Sequence, residues 1–335
     1  MSTPPWLSIL IPMYNVRDYL STCIDSVMAQ WEPGIEVVLL DDASTDDTLA
    51  LAQAACQRHA GRLQLVQHGY NRGISAARNT LLQHARGTYV WFLDSDDWLM
   101  PGAVLSLHAC VNRHHPDLVM CDYRQFREGG SLRRRLKDRR RVSTFTGPSR
   151  RLETDRETLV LHLIRAEQFH AWSKIARRKS WAQAPFPEGR TIEDMAVIPA
   201  LVAACDRWIH LPEAWVGYRI RANSLVRTRT ASMQTDLVRA VYELHKAVMK
   251  LPGYQTRGAL HRTLNRFSLH YIGTVAAWSH GQDKDHNTLP LDVHAVLREL
   301  FPQGVGQALG QVQGWSWRHS VGRLRKRYAR VGWLT

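Results

Sequence analysis

YVWFLDSDDWLMP, residues 89–101, decides how this 335-residue chain is read. Five uninterrupted β-prone apolar residues, Tyr89 to Leu93, run straight into three carboxylates, Asp94, Asp96 and Asp97. A strand that is apolar at every position is buried on both faces, as in a parallel sheet covered by helices on either side. Ligands of such sheets bind beyond the carboxyl ends of the strands, which is where these acids stand. Like charges this close repel one another unless a cation or a hydrogen-bond network holds them.

Outward from this stretch the same pattern repeats. Leu7–Pro12, Glu36–Leu40, Leu63–Gln67 and Asp117–Cys121 read as further strands, and Arg17–Gln30, Asp46–Ala60, Ile74–Ala85 and Gly102–His114 read as the helices between them. Strict alternation predicts right-handed crossovers and an α/β architecture, a mostly parallel sheet with helices on both faces. The strand ends then bring together Tyr14 and Asn15, Asp41 and Asp42, Asn71, and Asp94 to Asp97. After Tyr123 the alternation stops. Helical patterns return at Thr154–Arg165 and Ile192–Ala204, a strand-like WIHLPEAWVGYRIR starts at Trp208, and from about Met233 the chain reads as helical, with an amphipathic segment at Leu260–Trp278. Three portions result: 1–123 with the alternating pattern, 124–231 with a basic loop and an acidic Glu193-Asp194 pair, and 232–335 as a mainly helical extension.

The composition, 44% hydrophobic and 22% charged, excludes disorder, and five cysteines without CxxC spacing exclude a disulfide framework and a tetrahedral zinc site. The formal charge of +14 suggests a polyanionic partner. It is concentrated in two places: a net +9 between Arg124 and Arg151 and a net +6 from Arg318 onward, which leaves −1 for the rest. So many like charges predict an exposed loop or flap for the first segment. No apolar run approaches the roughly 18 residues of a membrane-spanning helix. A cytoplasmic chain is the expectation, with contact to a membrane surface left open. The 16 histidines show no HExxH or paired spacing and are expected mostly at the surface.

Candidate chemistry follows from the strand ends. In VLLDDASTDDT, Ser44 or Thr45 is expected to cap the next helix, whereas Asp41 and Asp42 at a sheet edge suit acceptance of hydrogen bonds from a base or ribose. Asp94 and Asp96 supply hard oxygens for a divalent cation, and magnesium binds through one or two carboxylates plus substrate phosphates. Gly73 permits close approach of backbone to a ligand, and Arg78 offers a planar donor fork; a plain turn and a solvated arginine are the alternative. Glu193 and Asp194 open a helix, where acids ordinarily complement the dipole.

Taken together, SILIPMYN (8–15), VLLDDASTDDT (38–48), NRGISAARN (71–79) and FLDSDD (92–97) resemble, in family order, the nucleotide-sugar domain of the inverting glycosyltransferase family 2, with the GT-A fold. The resemblance implies a nucleoside pocket lined by Pro12, Tyr14 and Asp42 with Asp41 beside them. It implies Asp94 near the ribose with Ser95 in the same loop, and Asp96 on a Mg2+ or Mn2+ ion that bridges the diphosphate. Asn71, Gly73 and Arg78 are similar to the family's nucleotide-side loop and helix. The acidic pair matches the family's base region, with Asp194 as base and Glu193 as its neighbour. Trp172 and Lys174 in AWSKIARR and Tyr218 and Arg219 in GYRIRANSL resemble acceptor-side segments; a core tryptophan beside a surface lysine is the alternative.

The expected activity is transfer of a sugar from a nucleoside-diphosphate sugar, most often a UDP-sugar in this family, to a glycan or glycolipid hydroxyl in bacterial surface polysaccharide or lipopolysaccharide assembly. The basic segments Arg133–Arg141 and Arg323–Arg330, with Trp315, Trp317, Tyr328 and Trp333 interleaved in the tail, suit an anionic membrane surface or a phosphorylated glycolipid. Two other classes compete. A nucleotidyltransferase making activated sugars would share the sheet and acidic site, but PMYNVRDYL stands where its Gly-rich phosphate loop belongs. A nucleic-acid binder would use the basic segments, yet acids at the strand ends would repel phosphate, so no nucleic acid is expected. A dinucleotide-dependent oxidoreductase lacks GxGxxG after the first strand.

Overall fold

A computed structural model describes residues 4–127, 140–220, 230–252, 254, 256–279, 291–312 and 318–334. Most of the basic loop (Arg133 to Arg139), the stretch with Asn223 and Ser224, and Trp315 and Trp317 lie outside the described residues.

Among the described residues nine strands form, β1 (Leu7–Met13), β2 (Ile35–Asp41), β3 (Leu63–Gln67), β4 (Tyr89–Phe92), β5 (Trp98–Leu99), β6 (Leu118–Arg127), β7 (Arg141–Val142), β8 (Lys174–Arg177) and β9 (Trp208–Ile220). They form one sheet in the order β3-β2-β1-β4-β8-β6-β9-β5, with β7 beside β6. β3, β2, β1 and β4 are parallel neighbours, as the alternation predicts. β8 then runs antiparallel between β4 and β6, and β9 pairs parallel with β6. Six strands therefore share one direction, and β5, β7 and β8 oppose it. The short reversed strand β8 was not apparent in the sequence. Its four residues, KIAR, carry charged ends and only two apolar positions, too little for a strand signal.

The helices are α1 (Arg17–Met28), α2 (Thr48–Arg58), α3 (Ile74–His84), α4 (Ala103–His114), α5 (Arg156–Ala166), α6 (Arg178–Ala182), α7 (Glu193–Ala203), α8 (Ala231–Met249), α9 (Gly258–Ser279), α10 (Val293–Leu300), α11 (Val305–Gln311) and α12 (Arg318–Arg330). Strand periodicity divides the apolar residues between two cores. Leu7, Ile9, Ile11, Val37, Leu39, Trp91 and Leu93 pack on one face with residues of α1, α2 and α4. Leu10, Val38, Leu40, Val90 and Phe92 pack on the other with α3, α5, α7 and the C-terminal helices. Burying each such side chain contributes about 2 kcal/mol, so the strand ends are held by a rigid floor.

Pro12 lies inside a central strand, where proline is normally excluded. The carbonyl of Leu10 faces β4 and accepts from Leu93, and β4 ends at Phe92. Two residues on, the N–H that Pro12 lacks would point past that end, so no ladder bond is lost.

Candidate active site

Two carboxylates close the corner between β1 and β2. Asp42, 3% exposed, accepts from the Arg72 N–H at 2.9 Å and the His68 ring at 2.6 Å on Oδ1, and from the Gly73 N–H at 2.8 Å on Oδ2. His68 is fixed in turn by Thr80 at 3.0 Å. Asp42 thus organises the Asn71–Gly73 loop, in which Asn71 is exposed at the rim and Gly73 has φ 83°, strained for any L side chain. Open space lies where a Cβ of residue 73 would be. Asp41, 2% exposed, accepts from the Ser44 N–H on Oδ2, while its Oδ1 is buried without a partner among the described residues. An unpaired buried carboxylate oxygen is costly, and a ligand N–H or O–H would satisfy it. Tyr14, at the end of β1, is 46% exposed.

Ser44 and Thr45 do not cap α2, contrary to the sequence expectation. Ser44 Oγ accepts from Asn15 N at 3.1 Å, and Asn15 Oδ1 accepts from Thr45 N at 2.8 Å, so these residues stitch the β1 and β2 loops together. Asp46 instead accepts from Thr48 N at 2.9 Å. Both loops carry left-handed residues, Asn15 and Ala43.

Arg78 is the hub of the second cluster. Helix α3 carries it under the sheet edge, 2% exposed, where Nη2 donates to Asp94 Oδ1 at 3.0 Å and Nη1 donates to Glu193 Oε1 at 3.0 Å and Asp194 Oδ1 at 2.8 Å. Its guanidinium also lies 5.1 Å from the Phe186 ring centroid. Burial alone would lower its pKa, but Asp194, Asp94 and Glu193 outweigh that and raise it. Burial, then the Asp194 charge, pushes the Glu193 carboxyl above the usual range. Arg78 is therefore enclosed by carboxylates rather than solvated.

The acidic loop after β4 divides its work. Asp94 is 29% exposed at its side chain, and Asp96 is half-buried. Ser95 and Asp97 are buried. Asp97 accepts from the Arg219 N–H at 2.7 Å, and burial together with Asp96 and Asp94 pushes its carboxyl well above the ordinary range. Arg219 Nε donates to the Asp96 carbonyl at 2.9 Å, and the guanidinium stacks between Tyr19 and Trp98. The partly exposed oxygens of Asp94 and Asp96 are the hard donors that suit Mg2+ or Mn2+, which need only one or two carboxylates when phosphates complete the shell. Among the described residues no group of three or more His, Cys, Asp or Glu side chains forms a closed metal cage.

Across from this loop stands an aromatic wall. Trp172, 1% exposed, stacks on His170 at 4.6 Å and on Tyr218 at 5.7 Å, with Tyr123 edge-on at 5.0 Å. His170 Nδ1 lies 3.9 Å from Asp194 Oδ2, on the side of the carboxylate away from Arg78. Lys174 is not a surface lysine. It is 1% exposed, and Nζ donates to the carbonyls of Gln168 (2.7 Å) and His170 (3.1 Å) and to Ser173 Oγ (2.7 Å). Burial lowers its pKa to about 7.

The chain that carries this arrangement is similar to known proteins. Residues 8–170 match the family model described as Glycosyl transferase family 2. The chain belongs to glycosyltransferase family 2. The chain is 30% identical over 247 residues to Glycosyltransferase GlyA of Streptococcus pneumoniae serotype 4, across 71% of this chain and 34% of GlyA. It thus spans about a third of that relative's length. S. aureus TarS 1-349, solved in complex with UDP-GlcNAc, superposes with a TM-score of 0.68 at 18% identity, covering 96% of this chain and 87% of that 1-349 fragment. The mannosyltransferase PcManGT from Pyrobaculum calidifontis, in complex with GDP-Man and Mn2+, gives 0.54 at 16% identity, covering 99% and 87%. At these identities the likeness is one of fold, and the fold of the chain is GT-A.

Several residues of the candidate site carry no clear signal in the sequence. His68 and His170 were grouped with surface histidines, yet His68 clamps Asp42 and His170 lines the wall; His210 and His245 are also buried. Asp97, one of the strand-end acids, is turned inward and anchors Arg219. The available signal for His68 is its place directly after β3, at a strand end. His170 had none. Tyr328 and Trp333, expected to interleave with the basic tail at its surface, are buried. No helix among the described residues is long and apolar enough to cross a membrane.

Proposed function

We propose that the transferase moves a sugar, with inversion, from a nucleoside-diphosphate sugar to a hydroxyl of a glycan or glycolipid in bacterial surface polysaccharide or lipopolysaccharide assembly. The observation that carries this reading is the Arg78 bridge, which ties Asp94 at the end of β4 to Asp194 at the start of α7 through bonds of 3.0 and 2.8 Å. Donor-side and acceptor-side carboxylates are thereby held in one constellation.

In this reading the donor nucleoside, UDP by preference, meets Pro12, Tyr14, Asp41 and Asp42, and the orphan Oδ1 of Asp41 accepts a base N–H. Asn71 and Gly73 border the nucleotide, and Asp94 and Ser95 the ribose. Arg78 acts by positioning the acids rather than by touching phosphate. Asp96 holds Mg2+ or Mn2+, which when bound offsets the charge of the departing diphosphate. Asp194 Oδ1 is engaged by Arg78, so Oδ2 takes the proton of the acceptor hydroxyl. The acceptor oxygen forms the new bond to the anomeric carbon on the face opposite the leaving group, and the diphosphate departs with the bonding electron pair. Glu193 supports Asp194. Trp172, Lys174, Tyr218 and Arg219 build the acceptor side, the first two by packing and the last two at the site's edge. The names of GlyA and TarS support a bacterial glycan setting and a UDP-sugar donor. The working place proposed is the cytoplasm, at the inner face of the cytoplasmic membrane, where the basic segments meet anionic lipid.

Nucleoside diphosphate release, followed over a panel of nucleotide sugars with Mn2+, tests the reading. Asp194→Asn is expected to retain donor binding while turnover falls by about 100-fold or more. Near-normal turnover in that variant would move the base elsewhere.

A further inference from the structure

The densest uncompensated charge among the described residues lies on α12. No acidic residue occurs from Arg318 to the end of the chain. Arg323, Arg325, Lys326 and Arg330 are exposed, and Arg327 is half-buried. Among the described residues none of the five pairs with a carboxylate. Arg323 donates to Ser320 Oγ and Arg325 to the Gly306 carbonyl, both at 3.5 Å.

The opposite side of α12 is already consumed. Leu324 and Tyr328 are buried against α9, and the Tyr328 hydroxyl donates to the Leu269 carbonyl at 2.8 Å. Gly273 makes this approach possible, since a Cβ there would come within 2.6 Å of Leu324 and 3.1 Å of Tyr328. Trp333 is 8% exposed. Among its described side chains the helix therefore keeps no apolar face to insert into a bilayer and no exposed ring on which a base could stack. What it presents is a row of cations on one arc of a helix about 20 Å long.

We propose that this arc is an electrostatic dock for an anionic phospholipid bilayer, resting on headgroups without insertion. The inference rests on the membrane-side reading of the proposed function and not on its transfer chemistry. The dock is joined to the site by packing. α9, which receives α12, places Phe267 against Phe169 at 5.7 Å, and the Tyr271 hydroxyl donates to Glu167 at 3.2 Å. That turn leads directly into His170, beside Asp194.

Sedimentation of the full chain with vesicles of phosphatidylglycerol and phosphatidylethanolamine, against vesicles of phosphatidylcholine, tests the dock. Each cation near a charged surface is worth about fivefold in partitioning, so the triple variant R323Q/K326Q/R330Q is expected to bind the anionic vesicles about 100-fold more weakly. R323K/R330K should bind like the parent, and so should R58Q/R62Q/R113Q, which neutralises exposed cations elsewhere. Salt at about 0.5 M should release the parent chain. If the parent binds but the α12 triple variant binds equally well, the membrane reading survives and the dock is wrong. No binding to anionic vesicles overturns both. Equal binding to phosphatidylcholine, or preferential capture by duplex DNA or RNA in competition, also overturns the dock.

Discussion

The two acidic corners of the site are built on opposite electrostatic plans. Asp41 and Asp42 are held by separate donors scattered over their own neighbourhood, the N–H groups of Ser44, Arg72 and Gly73 and the His68 ring. Asp94, Glu193 and Asp194 converge on one buried cation, Arg78. A corner with distributed donors loses its bonds one at a time, while a corner built on a single guanidinium fails as a unit. The difference also separates two tasks: the first corner shapes a loop, and the second couples distant segments of the chain.

Arg78→Met gives the largest expected effect. It leaves three carboxylates facing one another with no counter-charge, for a cost of about 3–5 kcal/mol in urea unfolding and loss of turnover. Arg78→Lys should recover only part, because an ammonium cannot fork to three carboxylates. A loss below about 1 kcal/mol for Arg78→Met would erase the contrast between the corners. Asp42→Asn should cost less, about 1–3 kcal/mol, since an amide still satisfies some of the loop donors. Its donor affinity, measured by thermal shift, should fall as the Asn71–Gly73 loop loosens.

Lys174 sharpens the comparison from the acceptor side, because burial lowers its ammonium to about 7. Above that pH the folded chain has released a proton that the unfolded chain still binds up to about pH 10. Stability from this site therefore rises with pH across that window, by about 1 kcal/mol per pH unit. Urea midpoints of the parent and Lys174→Met at pH 7 and pH 9 should move apart in the parent's favour. A pH-independent gap would mean that the three oxygens around Nζ keep the ammonium charged. The smallest effect belongs to Ser44→Ala, which removes one exposed acceptor from the distributed corner and should cost about 0.5 kcal/mol by the same urea measurement.

The same contrast explains what the sequence made legible. β1 to β4 and their helices could be read because each is a short apolar run followed by a helix-period segment, and local pattern suffices. Asp41 and Asp42 could be placed at a strand end but not told apart, since which oxygens the loop occupies depends on His68 and Gly73 folding back some 30 residues away in sequence. Arg78 read as a ligand-facing fork because its carboxylate partners in α7 lie 115 and 116 residues downstream, beyond any local pattern. Neither reading of Lys174, acceptor-side residue or surface lysine, contained its burial, because only the antiparallel insertion of β8 buries it.

Calorimetric titration of UDP-, GDP- and dTDP-sugars into the full chain, with and without Mn2+, tests the central claim most directly. The account predicts saturable, Mn2+-dependent binding of one nucleotide series in the parent, lost in Asp96→Ala and retained in Asp194→Asn. Equal binding in Asp96→Ala, or no binding of any nucleotide sugar, would contradict it.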